Sequence, residues 1–229
     1  SFRAKQVYNW LYKKYANSYD DMKNLPKELI EDLKTNYPID ILKVVKKEQS
    51  RDGSIKYLFK LRDNHTIEAV LLLMKDKKID EDGQIVRSEK YTVCISSQVG
   101  CKVGCSFCLT ARGGFVRNLT VGEYIAQIVH IKRDNEIAEN KALNIVYMGM
   151  GEPLDNFDNF VKAVEIFSEL DGLAISRRRQ TVSTSGIASK IKKLGEKDLQ
   201  IQLAISLHAV DDELRSELIP MNKAYNIAS

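Results

Sequence analysis

Three of the four cysteines, Cys101, Cys105 and Cys108, stand at C-x3-C-x2-C spacing inside the stretch GCKVGCSFC. Thiolates this close in sequence can converge on one metal centre from a single loop. A structural zinc site closes with four ligands, usually from paired Cys or Cys/His knuckles. No fourth ligand stands at that spacing here, since His65 and His130 are remote in sequence. The set suits an iron–sulfur cluster in which one iron stays open to an exogenous ligand. Short-spaced cysteines of this kind also point to a reducing, cytoplasmic compartment rather than to a disulfide framework.

Three further stretches could serve such a centre. Met148-Gly-Met-Gly-Glu-Pro153 offers glycines that let a backbone approach a ligand closely, and in Glu152 a carboxylate able to receive an ammonium. Thr181-Val-Ser-Thr-Ser-Gly186 offers hydroxyls that could bind a carboxylate or merely cap the next helix. Ser206-Leu207-His208 adds a histidine, whose ordinary role when alone is structural. Each stretch closes a predicted strand, and sheets of this type carry their functional loops at strand C-termini. Their convergence on one mouth makes the case for a site.

The elements that would position them alternate. After the cysteines, Thr120-Val-Gly-Glu123 forms a capping box that opens a helix to about Glu139. Strands are predicted over Ala142–Met148, Gln180–Thr184 and Ile201–Leu207, and helices over Phe157–Leu170 and Ile187–Leu194. Asp211 caps a last helix through about Leu218. This βαβα order predicts an α/β fold with a parallel sheet and outer helices. Before the cysteines the pattern is β, with strands at Ile55–Leu61, Thr66–Met74 and Tyr91–Ser97. The charged piece Lys75–Lys90, with Asp82-Gly83 inside it, reads as a turn or mobile loop. Two helices lead the chain, Phe2–Tyr15 and Pro26–Tyr37, whose aromatics at helical spacing read as core. The expected organisation is a helical unit over residues 1–38, a β-rich connecting segment over 39–90 and a catalytic core over 91–229.

At 229 residues, 44% hydrophobic and 29% charged, the composition is that of an ordinary globular protein. The longest apolar run, Ala69–Met74, is far too short to span a bilayer. Net charge is only +4, but basic residues cluster at Arg3, Lys5, Lys13 and Lys14, and again at Arg177–Arg179. Those clusters are the candidate contacts to a polyanion.

Together these residues resemble one family, the RlmN/Cfr class of radical S-adenosylmethionine (SAM) RNA adenine methyltransferases. FRAKQVYNWLY, SSQVGCKVGCSFC, GFVRNLT, YMGMGEPLDN, TVSTSG, AISLHA and IPMNKAYNI carry the resemblance, which covers nearly the whole chain. It implies a partial (β/α) barrel preceded by a helical accessory domain that grips RNA. It also implies one [4Fe-4S] cluster on Cys101, Cys105 and Cys108, and two SAM molecules per turnover. Gly151 and Glu152 match positions that grip the SAM amino group, and Ser183, Ser206, Leu207 and His208 match further SAM contacts. Glu68 falls where the family places a proton-accepting carboxylate. Cys94 falls where it places the cysteine that resolves a protein–RNA intermediate through a transient disulfide. The implied reaction methylates carbon 2 of adenosine in 23S rRNA and in tRNA, through a deoxyadenosyl radical and a methyl-cysteine. An electron donor such as flavodoxin and a monomeric state go with it. No cysteine follows Cys108, so the methyl-carrying cysteine has no counterpart; the chain reads as cut short and is expected not to turn over. Two alternatives stand beside this reading: Cfr-type methylation at carbon 8, and a zinc-stabilised RNA-binding module without catalysis.

Overall fold

The computed structural model describes residues 2–39, 41–75, 78–80, 84–87, 89–139 and 141–229. The first two helices, α1 (Phe2–Tyr12) and α2 (Lys27–Asn36), flank a 3-10 turn at Tyr19–Asp21. Val7, Trp10 and Leu11 meet Leu29, Ile30 and Leu33 around Tyr19, Met22 and Leu25, giving this unit a small core of its own. The Trp10 indole donates to Asn24 Oδ1 at 2.6 Å. The helical period continues to Tyr15, yet α1 stops three residues earlier because Tyr15 takes a left-handed backbone (φ 53).

A seven-stranded sheet follows, and it is the frame of the molecule. Its first members are β1 (Leu42–Gln49), β2 (Ile55–Leu61) and β3 (Thr66–Lys75), which run antiparallel. A separate two-stranded ribbon, β4 (Lys78–Ile79) with β5 (Ile85–Arg87), occupies the charged stretch expected as a turn or mobile loop. Charged neighbours do not stop backbone pairing where β-branched residues stand at 79, 85 and 86. Asp82-Gly83 lies outside the described residues. The chain returns to the main sheet as β6 (Lys90–Cys94), antiparallel to β3.

Beyond β6 comes a short hairpin, β7 (Gln98–Gly100) with β8 (Phe115–Asn118), that encloses the cysteine loop and the single turn α3 (Leu109–Arg112). Then the chain alternates: α4 (Val121–Asp134), β9 (Leu143–Tyr147), α5 (Phe157–Ser168), β10 (Gln180–Thr184), α6 (Ala188–Glu196), β11 (Gln202–Ile205) and α7 (Asp212–Leu218). The capping box read from the sequence opens α4, with Thr120 Oγ1 accepting from Glu123 N and Glu123 accepting from Thr120 N. Sheet order is β1-β2-β3-β6-β9-β10-β11, and β6, β9, β10 and β11 run parallel. The result is a partial β/α barrel. The strands over 42–75 are hydrogen-bonded members of that same sheet.

One face of the sheet is dry. Tyr57, Phe59, Ile67, Leu71, Val93, Ile145 and Val182 alternate onto it, and α4 and α5 cover it with Ile128, Ile131, Phe160 and Phe167. The opposite face at β1–β3 carries Lys56, Lys60, Glu68 and Val70, all exposed or half-buried. Among the described residues, no helix is long and apolar enough to cross a membrane.

At the foot of the sheet Lys132 is only 1% exposed, and its Nζ reaches Ala138 O at 3.4 Å. Burial holds this ammonium down at about 8, against 10.5 for an ordinary lysine. Between those two values the unfolded chain binds a proton that the fold does not, so the group adds stability as pH climbs through that window. Lys132→Met should lack this contribution. Urea midpoints of the two proteins, compared at about pH 7.5 and about pH 10, check the expected divergence.

Candidate active site

The cysteine loop is held closed by the hairpin at its base. Gly100 sits at φ +77, and a Cβ there would stand 1.9 Å from Gly114 O. Only glycine allows the two arms to approach so closely, and Cys101 N then donates to Gly114 O at 2.9 Å. From the other side, Ser106 N donates to Leu218 O at 2.9 Å, resting the loop on the end of α7. All three cysteines are free thiols and partly exposed. Burial pushes the Cys101 thiol up to about 11, with Glu152, Cys105 and Cys108 adding to the rise. The Cys105 thiol is raised as well, by burial first and Cys108 next. Among the described residues, no three His, Cys, Asp or Glu side chains are disposed to hold one metal ion.

That cavity, about 340 Å³, is lined by the three cysteines together with Gly151, Glu152, Ser183, Ser206 and His208. Eight of the residues picked out at strand ends and in the loop thus meet, whereas Leu207 stays outside and is 41% exposed. Ser183 Oγ and Ser206 Oγ stand 3.0 Å apart across β10 and β11. His208 adopts φ 60, and its ring lies 4.7 Å from that of Phe107 in the cysteine loop. Glu152 is 3% exposed and accepts from Ser185 N (2.8 Å), Ser185 Oγ (2.9 Å) and Leu154 N (3.1 Å). Burial raises its carboxyl pKa against the lowering pull of those donors. The carboxylate therefore also ties together the loops that follow β9 and β10. The glycines of the same loop serve the packing: a Cβ on Gly149 would stand 2.8 Å from the Ile95 carbonyl, and one on Gly151 2.5 Å from Gln98 Cβ. What they approach closely is the link between β6 and β7.

One residue of this site had no signal in the sequence. Arg215, 3% exposed on α7, donates from Nε to Leu207 O (3.1 Å) and from Nη2 to Ser185 O (2.6 Å), and bonds Asn222 Oδ1 through Nη1. It clamps the ends of β10 and β11 from behind.

A family description, "Radical SAM superfamily", matches residues 95–227. The chain belongs to the radical SAM superfamily. A second description, "Ribosomal RNA large subunit methyltransferase N-terminal domain", matches residues 1–39. The chain is 94% identical over 229 residues to "Dual-specificity RNA methyltransferase RlmN" of Aliarcobacter butzleri, and 64% identical to the protein of that name from Sulfurimonas denitrificans. In both cases it is matched in full and spans 64% of the relative's length. A solved "radical SAM methyltransferase from Sphaerobacter thermophilus" superposes with a TM-score of 0.88 at 43% identity, over 99% of this chain and 63% of that one.

Outside this cavity lie the two other residues singled out, Glu68 and Cys94. Val70 pairs with Cys94 across β3 and β6, so Glu68 stands diagonally from Cys94 on the same face. Glu68 is ion-paired with Lys56 at 3.3 Å. Burial raises the Cys94 thiol pKa, and the backbone N–H of Met148 beside it pulls the other way. Met148 lines the cavity, so Cys94 is one residue removed from it. The basic clusters are farther off. Lys13 pairs with Glu139 at 3.2 Å, and Lys5 shares a cleft with Glu169 and Asp171. Lys14 lies 3.8 Å over the Trp10 ring, and Arg3 reaches Gln6 and Asn24. Arg177–Arg179 form a turn ahead of β10, at the end of the strand opposite the cavity. A cleft of about 440 Å³ between α1 and α4 is lined by no thiol or carboxylate among the described residues, and reads as a packing joint.

Proposed function

We propose that this chain, which spans 64% of its relatives' length, supplies the cluster- and SAM-holding part of a site that methylates adenosine in RNA by radical SAM chemistry, at carbon 2, with 23S rRNA and tRNA as substrates. The observation that carries the reading is the meeting of three thiols with the strand-end groups of Glu152, Ser183, Ser206 and His208 in one cavity. Cys101, Cys105 and Cys108 would hold a [4Fe-4S] cluster. Glu152 and the hydroxyls of Ser183 and Ser206 offer acceptors and donors for the amino and carboxylate groups of SAM. When bound, the cluster supplies one electron to the sulfonium and so opens a route to an unactivated methyl group. Glu68 would serve as the proton acceptor, and Cys94 would release the RNA by forming a transient disulfide with the methyl-carrying cysteine, a residue that is not among those of this chain. The helical unit over residues 1–38 helps hold the RNA, a flavodoxin-like donor supplies electrons, and the setting is the reducing cytoplasm.

Anaerobic reconstitution tests the reading. The chain should take up about four iron and four sulfide and absorb in the visible. With dithionite and SAM it should then release 5′-deoxyadenosine. Cys101→Ala, Cys105→Ala and Cys108→Ala should each lose most of the iron and all of the cleavage. Stoichiometric zinc without a visible chromophore would overturn the proposal.

A further inference from the structure

The uncovered face of the sheet carries a feature the radical SAM site does not use. β1 and β2 pair with Lys43 directly opposite Lys60. Their neighbours Leu42 and Leu61 are buried in the core, so the two lysines point to the open side. Like charges facing each other across an antiparallel pair destabilise it. The ion pairs on this face are Lys46–Glu48, Lys56–Glu48 and Lys56–Glu68, and among the described residues no acidic side chain pairs with Lys43 or Lys60. Arg62 and Asn64 join these two lysines around a cleft of about 260 Å³, while one Arg62 nitrogen donates to Pro38 O at 2.9 Å. A repulsive pair at the rim of a cation-lined cleft is what an anion would relieve.

The cleft also has a direction. Lys43, Lys46, Lys56 and Lys60 outnumber Glu48 and Glu68 on this surface, and every one of the lysines is exposed. Lys56 pairs with Glu68, Glu68 lies diagonal to Cys94, and Cys94 abuts Met148 at the cavity wall. From β2 to β9 is three strand intervals, about 14 Å. A chain of phosphates could therefore lie along the lysines while one nucleotide reaches the cavity.

We propose that the open face of β1–β3 is the track for the backbone of single-stranded RNA, with one phosphate seated between Lys43 and Lys60. This deepens the RNA-methylating reading of the site and rests on it. The phosphate turns the Lys43–Lys60 repulsion into shared attraction, which favours binding without any base contact.

A fluorescein-labelled RNA hairpin with an adenosine in its loop is the probe, followed by anisotropy across a salt series. Lys43→Ala/Lys60→Ala should weaken binding roughly tenfold at about 0.1 M salt and flatten the log–log salt slope by about 1 to 2. Its thermal stability should hold or rise, since the repulsion goes too. Replacing Arg177, Arg178 and Arg179 together by alanine should leave affinity and slope unchanged. Deoxyadenosine release without RNA should be the same in all three proteins. Wild-type affinity and slope in the lysine variant would overturn the track while leaving the radical SAM reading intact. So would equal competition by poly-glutamate, which would make the face a general polyanion surface. A wild-type chain that cleaves SAM but binds no RNA would remove both the track and the RNA substrate.

Discussion

Replacing Gly100 by alanine should empty the metal site while leaving all three cysteines in place. The residue has φ +77, a region that costs an L side chain about 1 kcal/mol. The larger effect is steric. The new Cβ would lie 1.9 Å from Gly114 O and 3.1 Å from Phe115 Cα, both backbone, so neither can rotate away. The β7–β8 hairpin must open, and with it goes the Cys101 N to Gly114 O bond that closes the loop. A loss of about 3 kcal/mol or more is expected, and iron uptake on reconstitution should fall to a small fraction of wild type. Gly114→Ala is the internal control. It has φ +73 but nothing within 4 Å, so it should drop the melting temperature by only about 2–4 °C and keep its iron. Equal behaviour of the two variants would show that the close approach at Gly100 does not matter.

Arg215→Met should be the most damaging change on α7. The guanidinium satisfies Ser185 O, Leu207 O and Asn222 Oδ1 in a setting only 3% exposed. Removing it strands two buried acceptors, Ser185 O and Asn222 Oδ1, and the partly buried Leu207 O; at about 1–3 kcal/mol for each buried one, a total of roughly 3 kcal/mol or more is expected. For a chain of this size that is a fall of about 6–12 °C in melting temperature. Arg215→Lys should fall between, because a single ammonium cannot reach three acceptors set in a planar fork. Ser185 also donates to Glu152, so loosening its loop should weaken SAM binding in the lysine variant even at temperatures where it is folded. Differential scanning calorimetry and SAM titration of the reconstituted protein separate the two effects. An Arg215→Lys protein with wild-type SAM affinity would confine the residue to a stabilising part.

Much of this was legible from the residues. Capping at Thr120, alternation in Ile55–Leu61 and the βαβα order gave the sheet and its covering helices, because each signal spans enough residues to show a period. The cavity was legible for another reason: a parallel strand's C-terminal end can be located from its last alternating residue, and Ser183 stands at such an end while Glu152, Ser206 and His208 follow one. The β7–β8 hairpin escaped notice since its arms are three and four residues long, too short for periodicity. Arg215 looked like any polar residue on the outer side of a helix. Nothing local distinguishes a clamp from a solvated arginine when its acceptors come from Ser185, Leu207 and Asn222. Gly149 and Gly151 were visible as glycines, but which backbone they approach depends on how β7 follows β6, a tertiary fact.

The ladder between β3 and β6 bears on the ribbon that joins them. Four consecutive pairs, from Val70–Cys94 to Leu73–Tyr91, lie between the Glu68–Cys94 diagonal and the irregularity at Leu73/Lys75. Any mismatch in the connection is absorbed at that bulge before it can travel down the strands. Residues can therefore be added to or taken from the stretch between Lys75 and Lys90 without changing which side chain faces which at the Glu68–Cys94 end. Its length is slack in the chain; the spacing that matters is counted in rungs.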